Sequence, residues 1–179
     1  MADDLRHDDS VNSGLSAVRT ALIAECEGEE ENCLYTSTSF FIWLRMLKIT
    51  RASLWALGAI GSVAAAKSIL GAEHNYPIVM AGLALAGVLL PGLIKAVRLD
   101  SAIKDYAAAA ARFKNLQGEF RRAAKVWSSK PFPEFESEAR KSIKAMNEAR
   151  QPSLTPPEWC FRLAQKKVKR GDYAKDGQR

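Results

Sequence analysis

The segment Pro77–Ile94 holds eighteen residues and no charged side chain, reading Pro-Ile-Val-Met-Ala-Gly-Leu-Ala-Leu-Ala-Gly-Val-Leu-Leu-Pro-Gly-Leu-Ile. No other feature restricts the fold so strongly. At about 1.5 Å per residue such a helix is nearly as long as a hydrocarbon core is thick, and it is too uniformly apolar to be one face of an amphipathic surface helix. Upstream, Ala52–Ala66 is also free of charge, and its apolar character continues past Lys67 to Ala72. Alanine and glycine dilute that stretch, and Lys67 must snorkel to an interface or face a partner helix. A buried soluble hairpin is the competing arrangement, but it needs a larger surrounding domain than 179 residues supply.

Charge is expelled from the middle of the chain. The first 51 residues hold nine acidic and five basic side chains, 52–97 hold only Glu73, Lys67 and Lys95, and the remainder holds ten acidic and nineteen basic. That distribution suits a middle in lipid, where a central charge costs roughly 2.5 to 3.5 kcal/mol. Gly71–Tyr76 reads as a tight turn, with Pro77 placed to open the next helix where its missing N–H does no harm. Arg45, Lys48 and Arg51 precede the first apolar helix, Lys95, Arg98 and Lys104 follow the second, and the turn has no Lys or Arg. Both termini are therefore expected on the cytoplasmic side of a bacterial inner membrane. The first thirty residues are acidic and lack the apolar core of a cleavable signal peptide.

The expected fold is all-α: a membrane protein with a two-helix transmembrane hairpin extended by long cytoplasmic helices, an antiparallel coiled-coil-like pair plus two shorter helices. Its segments are a disordered tail at 1–10, a cytoplasmic and interfacial helix at 11–51, the hairpin at 52–97 (52–72 and 77–97), a long cytoplasmic helix at 98–129, and C-terminal helices with a basic tail at 130–179. In the long helix, Leu99, Ile103, Tyr106, Ala110, Phe113, Phe120, Ala124 and Trp127 alternate by four and three, with Gln117 interrupting. Such a stripe must pack against another helix. Val11, Leu15, Val18 and Leu22, and then Phe40, Leu44 and Leu47, supply it, and self-association of the same stripes is the alternative. Glu25, Glu27, Glu29, Glu30 and Glu31 are placed to face Lys114, Arg121, Arg122 and Lys125, although a charge run is more often a solvated face. Gly28 is expected to loosen the first helix at a cost near ~1 kcal/mol, and the second membrane helix to run straight into the long one. Tyr35, Phe40, Phe41 and Trp43 fit a headgroup-level aromatic belt.

Small residues recur at helical spacing, Gly58 with Ser62, Gly61 with Ala65 and Gly82 with Ala86, followed by Gly87 and by Pro91, a kink point. The spacing lets backbones approach closely, though Gly and Ala are common in membrane helices in any case. Beyond Trp127, Phe135, Ala139, Ile143 and Met146 mark an amphipathic helix that stops before Pro152. Trp159, Leu163 and Val168 edge a last one that finishes in Lys166-Lys-Val-Lys-Arg170. No aromatic platform accompanies that basic cluster, so anionic lipid or an acidic partner suits it better than nucleic acid.

No catalytic chemistry can be assembled. The two histidines, His7 and His74, lie in the tail and the turn, and Cys26, Cys33 and Cys160 have neither disulfide nor zinc spacing. No phosphate-cradling glycine loop is present. No enzyme activity, cofactor or metal is expected.

A tight two-helix hairpin, a long helix of the type Tyr106…Phe113…Leu116…Phe120, then Pro156-Pro-Glu-Trp159 and a basic tail together resemble the SLATT family over residues 11–175. The resemblance implies a two-transmembrane effector of prokaryotic antiphage defence, acting as a homo-oligomer in the lipid bilayer. It implies an upstream partner too: a nucleotide second messenger, its synthase or a reverse transcriptase. Depolarisation by an oligomeric pore is the implied outcome, since one hairpin cannot enclose a channel. On that view Gly58, Gly61, Gly82 and Gly87 serve helix packing, Lys67 and Pro91 the conducting path, and Tyr106, Phe113, Phe120 and Trp127 the cytoplasmic interface. The alternative is a membrane-anchored scaffold that recruits a soluble partner through its cytoplasmic helices. A small transporter is a weaker third reading, because paired intramembrane polar residues are lacking.

Overall fold

A computed structural model describes the backbone of residues 2–70, 98–151 and 154–172, and of positions 78, 79, 81, 82, 85, 87, 89, 92 and 95 between the first two stretches. Side chains are described from residue 14 to residue 63 of the first stretch and throughout the others. The described residues form helices, one 3₁₀ turn and connecting loops, with no strand among them, so the protein is all-α. The elements with continuous bounds are α1 (Ala2–Leu70), α2 (Leu99–Lys125), the 3₁₀ turn Trp127–Ser129, α3 (Phe132–Arg150) and α4 (Glu158–Lys169). The isolated positions between 78 and 95 are also helical.

The 69 residues of α1 contain no proline to interrupt it. Two expectations change accordingly. Residues 2–10, read as a disordered tail, belong to the helix, and Gly28 does not interrupt it. Buried Cys26 and Cys33 on either side of Gly28 anchor the helix, and this packing outweighs the propensity cost of one glycine.

The chain divides into two compact units, Met1–Phe40 with Ala108–Arg179, and Phe41–Ala107. In the first, α1 and α2 pair antiparallel. Arg19 donates to the Ser128 carbonyl at 3.3 Å, Arg121 to Glu30 at 2.6 Å, and Phe40 stacks on Phe113 with ring centroids 5.6 Å apart. Among the buried residues of α1 here, Cys26, Cys33, Ser37 and Phe40, with Glu30 half-buried between them, form a 4-3-4-3 series in which thiols and a hydroxyl take core positions, and Thr38 and Ser39 are buried beside it. On α2 the complementary series runs through Ala110, Phe113, Gln117, Phe120 and Ala124. Gln117 therefore does not interrupt the stripe. It is buried within it, its side-chain oxygen accepting from Lys114 at 2.7 Å.

Helix α3 adds Phe135, Ala139, Ser142, Met146 and Ala149 to this core, with Ile143 only half-buried. It is fastened to α1 by Arg150–Glu29 at 2.9 Å and by the Cys33 thiol facing the Met146 sulfur at 3.7 Å. Helix α4 buries Cys160 and Ala164, not the expected Trp159 and Leu163, because only small side chains fit where it meets its neighbours. Leu15 and Val18, expected in the α1 stripe, are about half exposed. Their partner runs out: α2 ends at Lys125, and Arg19 already closes the pair by donating to the carbonyls of Ser128 and Lys130.

In the second unit Leu44, Leu99 and Ile103 form a small core, with Leu47, Leu54, Tyr106 and Ala107 packed around it. Trp43 meets Tyr106 edge-on at 6.3 Å, and Arg51 pairs with Asp100 at 2.9 Å. The expectation that one helix continues through 98 fails. Arg98 adopts φ 51°, the one left-handed residue other than glycine among the described residues, and its N–H donates to the Lys95 carbonyl. The helix ending there stops, and α2 starts anew at Leu99.

No helix formed by the described residues is both long and apolar enough to cross a membrane. The run 77–94 lies for the most part outside those residues.

Candidate functional site

The feature of the second unit that stands apart is where its small and large residues lie. Gly58, Gly61 and Gly87 are buried. A Cβ placed on Gly87 would lie 2.8 Å from the Ser62 amide nitrogen, 3.0 Å from the Gly61 carbonyl carbon and 3.2 Å from the Ser62 hydroxyl. Backbone thus meets backbone at this point, a distance that only glycine permits. Ser62, marked by sequence spacing only as the fourth residue after Gly58, closes the seam from one side. Its hydroxyl donates to the Gly58 carbonyl at 2.9 Å, which keeps that polar group satisfied without reaching outward.

The large apolar side chains point the other way. Trp55, Leu57, Ile60, Leu85 and Leu89 are all more than half exposed, Val63 is 70% exposed and Ile78 86%. A protein surface in water buries such residues and exposes small or charged ones. Among the described residues of 55–92 the order is inverted at the seam, with Gly58, Gly61 and Gly87 inside and Leu, Ile, Val and Trp outside, while Gly82 and Gly92 stay exposed.

The remaining sequence-predicted residues fall as follows. Gly82 is exposed, with open space where a Cβ would stand, so it does not join the seam. Lys67 lies within α1 but its side chain is outside the described residues, and Pro91 and His74 are outside them altogether. Phe113 and Phe120 are buried inside the first unit, Tyr106 is half-buried against Trp43, and half-buried Trp127 opens the 3₁₀ turn. An interface with another molecule cannot use Phe113 or Phe120, since packing within the unit already covers them. Of the predicted charge pairs, Glu30–Arg121 forms, whereas Glu29 pairs with Arg150 of α3. Glu29–Arg150 carried no sequence signal, because the relative placement of α1 and α3 is not encoded in either helix's own periodicity.

Thiol chemistry has no foothold. Burial, reinforced by Glu25, pushes Cys26 up to about 11, and burial with Glu29 and other neighbours pushes Cys33 up to about 12. Burial also raises Cys160. A thiol held neutral is a poor nucleophile and a poor metal ligand. No group of His, Cys, Asp and Glu able to hold a metal ion occurs among the described residues.

No family model, curated protein or solved structure matches the chain.

Proposed function

We propose that this chain is a membrane effector of the SLATT type. Residues 52–97 embed in the bacterial inner membrane as a helical hairpin, and both termini are cytoplasmic. Hairpins associate, and on a signal from a partner they open or perturb the bilayer, arresting growth of the host cell as a defence against phage. The observation that carries this reading is the inverted surface of the second unit. Lipid tails are as apolar as leucine, so in a bilayer large side chains gain nothing by turning inward, and helix pairs are held by close backbone contact at small residues. The seam at Gly61, Ser62 and Gly87 has that form.

The role assigned to the hairpin follows from the family resemblance together with this surface. A helix pair has no lumen, so conduction requires several copies, and a ligand that favours the open assembly shifts the population toward it. A second reading is favoured by one observation. The first unit has its own core around Phe120 and Phe135, a structure suited to recruiting a soluble partner, with the hairpin as an anchor only.

The test is the membrane potential of bacteria expressing the chain with its activating partner, beside the Gly87→Leu variant at matched membrane insertion. Depolarisation that the substitution relieves supports the effector. A potential that holds in both leaves the scaffold.

A further inference from the structure

The last helix carries chemistry that neither the hairpin nor the helical core uses. On α4, Cys160 and Ala164 face inward, and the Phe161 ring lies 6.3 Å from that of Tyr35. At about 100° per residue, one flank of the helix, roughly a quarter-turn or slightly more around from the buried pair, presents Trp159, Leu163, Lys166 and Arg170, at i, i+4, i+7 and i+11. Trp159 is 42% exposed and Leu163 43%. Glu158 is the one acidic residue on the helix, and it is paired with Arg162 at 2.6 Å. Lys166, Lys167, Lys169 and Arg170 are all exposed and form no ion pair among the described residues.

We infer that α4 and the adjoining Arg170 form a peripheral binding face for an anionic phospholipid surface. The stripe is graded along its length, aromatic and aliphatic at the start and basic at the end. Trp159 and Leu163 suit the boundary between headgroups and acyl chains, where an amphipathic ring and a branched aliphatic group both gain by leaving water. The four cations after them suit the phosphates and acidic headgroups beside that boundary, and their long stems let the charge reach water while the helix lies flat. A nucleic-acid backbone would match the cations but leave Leu163 against phosphate. The inference rests on the proposed function only for the presence of a bilayer.

The test uses the full chain carrying Leu163→Cys labelled with an environment-sensitive fluorophore. The three native thiols are buried, and labelling of the unsubstituted chain checks that they stay silent. The labelled protein is placed in nanodiscs of phosphatidylcholine alone and of phosphatidylcholine with phosphatidylglycerol. The expected result is a blue-shifted emission in the anionic discs only, lost in high salt and lost when Lys166, Lys167, Lys169 and Arg170 are all changed to Glu. Equal emission in both discs, with the chain incorporated in each, overturns the inference and leaves the hairpin reading intact. A shift produced in neutral discs by RNA or by polyglutamate, and absent with anionic lipid, also overturns it. If the chain enters neither disc, the hairpin reading fails, and flotation with phosphatidylglycerol vesicles then decides for α4. Salt-sensitive flotation supports it and no flotation refutes it.

Discussion

Gly87 lies against Ser62 so closely that a methyl group in place of its hydrogen would stand 2.8 Å from the Ser62 backbone nitrogen. The contact is with main chain on a helix, so it cannot be relieved by rotating a side chain. Gly87→Ala is expected to destabilise the second unit by about 1–3 kcal/mol, and Gly87→Leu to separate the two helices. Gly82→Ala meets open space and is expected to be neutral or stabilising by up to about 1 kcal/mol through helix propensity. Thermal unfolding in detergent, with cross-linking between cysteines placed on the two helices, separates these outcomes.

Among the described residues, Phe120 and Phe135 are the two largest wholly buried side chains, each at 0% exposure. Around them the core mixes Phe113, Leu116 and Met146 with small Cys, Ser and Ala side chains, which are too short to fill the void a lost ring would leave. Phe120→Ala and Phe135→Ala are expected to cost about 3–5 kcal/mol each, whereas Val126→Ala, at an exposed site, stays within about 0.5 kcal/mol. Denaturant midpoints measure both. If Phe120 served an interface between molecules, its truncation would weaken association and leave the midpoint unchanged.

The ion pairs Glu30–Arg121 and Glu29–Arg150 join α1 to α2 and to α3. Arg121 and Arg150 are 41% and 49% exposed, so solvent screens both, and double-mutant cycles are expected to give about 0.2–1 kcal/mol for each. The pairs fix register more than they add stability. Arg121→Glu alone should cost more than Arg121→Ala, and Glu30→Arg with Arg121→Glu should recover most of the difference.

The thiols make a pH prediction with a definite sign. Cys26 and Cys33 are raised from 9.0 to about 11 and about 12, so the folded protein holds their protons where the unfolded chain releases them. Their contribution is present in full below pH 9 and is lost as pH rises through the window from 9 to about 12. Alkaline unfolding followed by circular dichroism should shift to higher pH in Cys26→Ala with Cys33→Ser relative to the parent at equal starting stability. In the native state at neutral pH, a thiol-disulfide reagent should titrate none of the three cysteines until the protein unfolds.

The helical character of the chain was legible in its periodicity, because Leu99, Ile103, Ala110, Phe113, Phe120 and Ala124 recur at the heptad interval and are all buried. The partner stripe on α1 was harder to read. Besides Phe40, its core positions are Cys26, Cys33 and Ser37, small residues that a search for large aliphatic side chains passes over, while the apolar Leu15 and Val18 lie beyond the end of their partner helix. On α4 a similar inversion occurs, with Cys160 and Ala164 inside and Trp159 and Leu163 outside. Size decided these positions, and a hydropathy pattern carries no information on how near two helices come. Gly58, Gly61 and Gly87 were marked by spacing alone, yet spacing gave Gly82 the same weight although it meets nothing. The break at Arg98 carried no signal, since an arginine at φ 51° is held by the hydrogen bonds on either side of it, not by its own preference.

The central claim, that the outward apolar face of the second unit is covered by lipid, is tested most directly by cysteine accessibility in native membranes. Val63→Cys and Ile78→Cys, each in a chain whose three native cysteines are replaced, are treated with a membrane-impermeant maleimide after the membranes have been washed with alkaline carbonate. Both are the most exposed large apolar residues among the described residues of the unit, at 70% and 86%, so only an external cover can hide them. The account predicts that the chain stays in the pellet and that neither cysteine reacts until detergent is added. A chain released into the supernatant, or one that pellets with both cysteines promptly labelled, would contradict it.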